Sequence, residues 1–246
     1  MKSIYGIEYA KDLLLDIHLP ETDCFDLFVY IHGGGLEAGG RSCVEVFART
    51  LAKRGIATAS IEYRMYPDAK FPEFIEDSAL AVAWLKNNIS EYGNCKRIFV
   101  GGSSAGGYLS MMLCFDKRYL TAVGMSPQDI AGYIHDAGQP TAHFNVLRER
   151  GIDSRRIIVD ETAPMYFVGM DEKYAPMIFL VSDNDMFGRY EQTLLMVKTL
   201  EDFGHKDNVY LEVFNGTHCD YVYKADENGE GILGNSILKF IDKLDA

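Results

Sequence analysis

The 246-residue chain is expected to adopt an α/β fold, a mainly parallel central sheet with helices on both faces. Two observations lead there. Apolar runs of strand length, rich in β-branched and aromatic residues, alternate with longer segments of helical spacing. One of those strands also runs straight into a helix through a cluster of glycines. The length suits one domain over residues 1–246, and 48% hydrophobic with 24% charged residues leaves enough apolar surface to bury a sizeable sheet.

Taken in order, Ile4–Tyr9 and Leu13–Leu19 are separated by a polar link too short for a crossover helix, so the sheet should begin antiparallel. Strands are then expected at Phe25–Ile31, Ile56–Ile61, Arg97–Gly101, Met177–Val181 and Val209–Phe214. Helical spacing marks Val44–Arg54, Phe74–Ile89, Ala105–Phe115, Arg189–Phe203 and Asn235–Leu244. Residues 125–170 have weak periodicity, with Pro127, Pro140 and Pro164, and read as a small lid-like insertion over the sheet. No internal repeat or low-complexity linker is visible.

A formal net charge of −12 opposes approach to a phosphate backbone or an anionic bilayer, so neither nucleic acid nor membrane is an expected partner. The first twenty residues hold no apolar signal core, and a cytoplasmic location is expected. Cys24, Cys43, Cys95, Cys114 and Cys219 form an odd set without C-x-x-C spacing, which suits free thiols rather than disulfides or a zinc site. Cys219 stands out because it follows His218.

The sharpest chemical signal is Gly102-Ser103-Ser104-Ala105-Gly106, between an apolar strand and a helix. A G-x-S-x-G turn in that setting is so tight that the residues two before and two after the central serine must be small, and the serine projects above the sheet. Ser104, not Ser103, is then the candidate nucleophile. His32-Gly33-Gly34-Gly35 directly follows the strand Phe25–Ile31. Such a loop can turn backbone N–H groups toward a reacting carbonyl, so Gly34 and Gly35, with Ala105 at the start of the nucleophile helix, are the candidate oxyanion donors. A phosphate-binding loop is excluded because no Lys-Ser or Lys-Thr follows the glycines. The acid and base should come later, each just beyond a strand end. His218 lies beyond Val209–Phe214, whereas His205 precedes that strand. Beyond Met177–Val181 come two acids, Asp183 and Asp185, between which position alone does not choose.

Leu180-Val-Ser-Asp-Asn-Asp185-Met-Phe resembles the strand followed by G-x-x-D-P-L in α/β-hydrolases, a register that makes Asp185 the acid. More widely, His32–Gly35, Glu62-Tyr63-Arg64 with Pro67, Phe71-Pro72, Glu76-Asp77, Trp84 and Gly102–Gly106 resemble the hormone-sensitive-lipase-like branch of that superfamily, and in particular small bacterial carboxylesterases. The resemblance implies an α/β-hydrolase fold and a serine esterase with the triad Ser104, His218 and Asp185. There are two departures: only 31 residues precede His32, so a long N-terminal cap is not expected, and Glu62 stands where the family has Asp. Tyr63, Arg64 and Asp77 are expected to be structural.

Chemistry of this kind needs no metal and no organic cofactor. The expected partner is a small-molecule or oligosaccharide ester with a short acyl group, acetyl or feruloyl esters of carbohydrates included. Arg148, Arg150, Arg155 and Arg156, with Gln139, Thr141 and His143, are either a substrate-binding rim or a solvated surface loop. An edge strand left free would suit a homodimer. The competing functions are a small-peptide or amide hydrolase of the same fold and a non-catalytic binding protein.

Overall fold

A computed structural model describes residues 1–42 and 44–246. Cys43, one of the five cysteines read as free thiols, lies outside the described residues; Cys24, Cys95, Cys114 and Cys219 are free. The strands are β1 (Lys2–Ala10), β2 (Leu13–Leu19), β3 (Cys24–Ile31), β4 (Ile56–Ile61), β5 (Asn94–Ser103), β6 (Gly132–Asp136), β7 (Met177–Ser182) and β8 (Val209–Phe214). They form one eight-stranded sheet in the order β1-β2-β4-β3-β5-β6-β7-β8. β1 pairs antiparallel with β2 and β2 antiparallel with β4; every later pairing is parallel. The helices are α1 (Glu45–Lys53), α2 (Glu73–Asn88), α3 (Ala105–Phe115), α4 (Lys117–Ala122), α5 (Phe144–Glu149), α6 (Arg189–Asp202) and α7 (Ile232–Leu244).

Side chains alternate across a strand, and β3 shows how that feeds two cores. Leu27, Val29 and Ile31 join the layer containing Val82 of α2, Leu109 of α3 and Met196 of α6. Phe28 and Tyr30 join Phe47 of α1 and Ile237 and Phe240 of α7 on the other face. The central strands β4, β6 and β7 are buried along their whole length, as a sheet covered on both faces requires.

The main departure from the sequence reading is β6. Residues 125–170 were expected to stand apart from the sheet, yet Gly132–Asp136 is a central strand between β5 and β7. The excursion from the sheet therefore begins at residue 137, after β6, and ends before β7. Its inner side packs Ala142, Leu147 and Ala163 together. It is pinned to α3 by the Tyr108 hydroxyl donating to the Thr162 carbonyl at 2.8 Å. Arg148 also pairs with Glu37, beyond the glycine loop, at 3.1 Å.

The Glu62-Tyr63-Arg64 segment braces the loop after β3. The Tyr63 hydroxyl donates to the His32 carbonyl at 2.9 Å and its ring stacks on the imidazole, centroids 4.4 Å apart. Arg64 holds the buried Asp77 with Nε and Nη2, both at 2.8 Å, while Glu62 pairs with Arg41. Among the described residues no helix is long and apolar enough to cross a membrane.

Candidate active site

The carboxyl ends of β3, β5, β6, β7 and β8 meet at one edge of the sheet, and each sends a loop into the same place. The turn from β5 to α3 is the tightest. Ser104 sits at φ 57°, ψ −112°, a conformation L side chains rarely adopt, held by its N–H donating to the Asp136 carbonyl at 2.8 Å and by its carbonyl accepting from Tyr108 N–H at 3.0 Å. A Cβ added at Gly102 or Gly106 would overlap the Ile31 carbonyl oxygen. The small residues of the motif are thus demanded by the neighbouring strand β3. Gly106→Ala should destabilise the protein by about 3 kcal/mol or more, because backbone rather than a flexible side chain must yield. A urea midpoint equal to that of the unaltered protein would refute this account of the motif.

The structure brings Ser104, His218 and Asp185 together. His218 Nδ1 donates to Asp185 Oδ1 at 2.5 Å, which leaves Nε2 to accept from the Ser104 hydroxyl at 2.8 Å. Burial alone would raise the Asp185 carboxyl; the hydrogen bond and charge of His218, the Met186 N–H and the Arg189 charge outweigh it and hold the group below its ordinary value. The alternatives serve elsewhere. Ser103 donates from a buried position to Asp136, and Asp183 caps the histidine loop by accepting from Gly216 N–H at 3.0 Å and Asn215 Nδ2 at 2.9 Å. His205 lies before β8 and packs its edge against Tyr174.

Gly34 and Gly35 have φ of 113° and 67°, and Gly33 packs against the nucleophile turn so closely that a Cβ there would lie 2.8 Å from the Ser103 carbonyl oxygen. The buried Asn145 of α5 donates its amide to the Gly35 carbonyl, so the excursion between β6 and β7 fixes the glycine loop from outside. His32 is buried and bonds its own loop through Nδ1 to the Gly33 carbonyl at 2.7 Å. Ala105 opens α3, whose first N–H groups point toward Ser104 without intrahelical partners. Cys219 Sγ lies 3.7 Å from His218 Nε2, and burial pushes its thiol up, so it stays protonated.

Of the polar residues considered as a rim, His143 and Thr141 are buried, with His143 capping α5 through Nδ1, which accepts from Asn145 N–H at 3.2 Å. The residue missed from the sequence is Asp136. It is fully buried below the nucleophile turn and accepts from the Ser103 and Tyr221 hydroxyls, joining the serine loop to the loop that carries His218. Burial pushes its carboxyl up to about 6, against the two hydroxyl donors and the His218 charge. Because the folded value lies above the unfolded one, protonation favours the native state. That stability is complete below about pH 4 and is lost as pH rises through about 6. Above about pH 7, where the group is ionised in both states, the loss amounts to about 3 kcal/mol. Asp136→Asn, which cannot ionise, should therefore gain stability relative to the unaltered protein by up to that amount between pH 4 and pH 7. Denaturant titrations at the two pH values check it, and an unchanged difference would be the contrary result.

The BD-FAE family model matches residues 15–129. Carboxylesterase NlhH of Mycobacterium tuberculosis (strain ATCC 25618 / H37Rv) is 34% identical over 112 residues, covering 44% of this chain and 35% of its own. Probable carboxylesterase 6 of Arabidopsis thaliana is 32% identical over 155 residues, 59% of this chain and 43% of its own. The chain spans less than half the length of these curated relatives. Among solved structures, esterase B of Lactobacillus Rhamnosis superposes with a TM-score of 0.81 at 18% identity, covering 99% of this chain and 85% of that one. A truncated carbohydrate esterase from gut microbiota superposes with a TM-score of 0.82 at 17% identity, covering 100% and 97%. These last two share the fold. The chain shares the α/β-hydrolase fold of these two esterases, and its likeness to curated carboxylesterases extends over part of its length.

Proposed function

We propose that the protein is a serine carboxylesterase acting on esters with short acyl groups. The observation that carries this reading is the continuous hydrogen-bonded chain Ser104–His218–Asp185 at the sheet edge, beside a glycine loop of the kind that holds an oxyanion. Ser104 Oγ attacks the ester carbonyl while His218 Nε2 takes its proton, and Asp185 holds the imidazole tautomer and stabilises the imidazolium as it forms. The N–H groups of Gly34, Gly35 and Ala105 receive the developing oxyanion; one such donor is worth about 2.7–4 kcal/mol. His218 then protonates the leaving alcohol and activates the water that releases the acyl group.

On the alcohol side the reading extends to carbohydrate esters such as acetylated oligosaccharides. A cavity of about 460 Å³ opens beside the site, and the carbohydrate esterase from gut microbiota matches this chain over its whole length. The test is hydrolysis of p-nitrophenyl esters from acetate to decanoate, followed by acetyl release from acetylated xylooligosaccharides. Fast turnover confined to the shortest esters, with sugar deacetylation, supports the proposal. Turnover of small anilides in place of esters favours an amide hydrolase, and a folded protein inert to both favours a binding role.

A further inference from the structure

The excursion between β6 and β7 carries four arginines, and three of them are spent on ion pairs: Arg148 with Glu37, Arg150 with Asp160 and Arg155 with Asp153. Arg156 has no ion-pair partner among the described residues, and Asp153 feels it only through space. A second guanidinium is in the same position for a different reason. Arg189, at the start of α6, is 4% exposed, yet no described carboxylate lies within ion-pair distance of it; it donates to the Ala137 carbonyl and to Gln139 Oε1 at 3.3 Å. A buried guanidinium without a direct ion pair costs free energy unless it is compensated, and the carboxylate of Asp185 compensates it only through space.

Both arginines line one cavity of about 460 Å³, whose other walls include Phe144, Ile157, Met186 and Phe187. The cavity adjoins the glycine loop on one side and the residue after Asp185 on the other. Phe144 is the nearest neighbour that a Cβ on Gly35 would meet, at 3.4 Å, and Met186 follows Asp185 directly. Phe187 is fully exposed and Ile157 largely so. Together they form an apolar wall with three guanidinium groups set into it, of which Arg155 is already paired with Asp153, a composition suited to a ring or short chain that bears an anionic group.

We propose that this cavity is a subsite for a carboxylate on the ester substrate, bound by Arg156 and Arg189, so that the enzyme prefers acidic esters over neutral ones of the same size. The proposal rests on the ester-hydrolase reading above. The carboxylate belongs either to the acyl group or to the alcohol, and two matched pairs separate these sources: p-nitrophenyl hemisuccinate against p-nitrophenyl valerate, and O-acetyl glucuronate against O-acetyl glucose.

The unaltered protein should show a higher kcat/KM for the acidic member of at least one pair, with the preference shrinking as salt is added. Arg156→Ala should cut that preference about tenfold, mainly through KM, while leaving turnover of the neutral ester unchanged. Arg156→Lys should restore part of it, and Arg156→Glu should invert it. Arg156 lies on the rim, so these variants leave the buried Arg189 and the fold in place. Equal loss on acidic and neutral esters, or no preference in either pair, overturns the subsite while the esterase reading stands. Inactivity on all four esters, with Ser104 unlabelled by a phosphonate, overturns both.

Discussion

Ser104→Ala is expected to lower kcat/KM for p-nitrophenyl acetate by about four to six orders of magnitude, with the thermal midpoint almost unchanged. The size follows from the role, because without the nucleophile only binding and the oxyanion donors remain, and the members of a triad act as one unit. The unchanged stability follows from the structure. Ser104 is held by backbone hydrogen bonds to Asp136 and Tyr108, which alanine keeps, and its one side-chain bond is to a partly exposed histidine. Steady-state kinetics with a calorimetric scan test both halves. Residual activity above about one hundredth of the unaltered level would remove Ser104 from the mechanism.

The second large effect separates two aspartates two residues apart. Asp185→Asn should reduce kcat by about 10⁴-fold, since an amide facing His218 Nδ1 favours the wrong tautomer and leaves the imidazolium without its counter-charge. Asp183→Asn should cost less than about tenfold. Its carboxylate accepts from Gly216 N–H and the Asn215 amide, while the imidazole Nδ1 bonds Asp185, so its loss loosens the histidine loop only. Similar losses for the two variants would contradict this division of roles. So would a large loss for Asp183→Asn alone.

How far the sequence can be read follows from where each signal has its cause. The nucleophile turn is legible because its glycines answer to a local geometric demand, the closeness of Gly102 and Gly106 to Ile31, and the same holds for the glycine loop after β3. The placement of His218 followed from knowing which end of a strand faces the site. The choice of Asp185 over Asp183 needed family resemblance, since both follow β7 and only the tertiary course of the β8 loop decides which one meets the imidazole.

Strand β6 was not legible. Its five residues include His135 and Asp136, polar groups that interrupt an apolar run, and they are buried because distant partners satisfy them: Ser110 for His135, Ser103 and Tyr221 for Asp136. Burial that depends on partners 25 to 85 residues away leaves no periodic trace. The missing strand hid Asp136, the buried acid bonded to Ser103 beside Ser104, and lengthened the expected excursion over the sheet. Likewise, the arginines that seemed interchangeable in the sequence are distinguished only by which acids stand opposite them.

The central claim is that Ser104 is an activated nucleophile, and covalent labelling tests it most directly. The protein should be incubated with a p-nitrophenyl phosphonate ester, then analysed by intact mass and peptide mapping. The account predicts one adduct per chain, located on Ser104, formed far more slowly in Asp185→Asn and absent in Ser104→Ala. A folded protein that takes up no label, or takes it up equally well in Ser104→Ala, would contradict it.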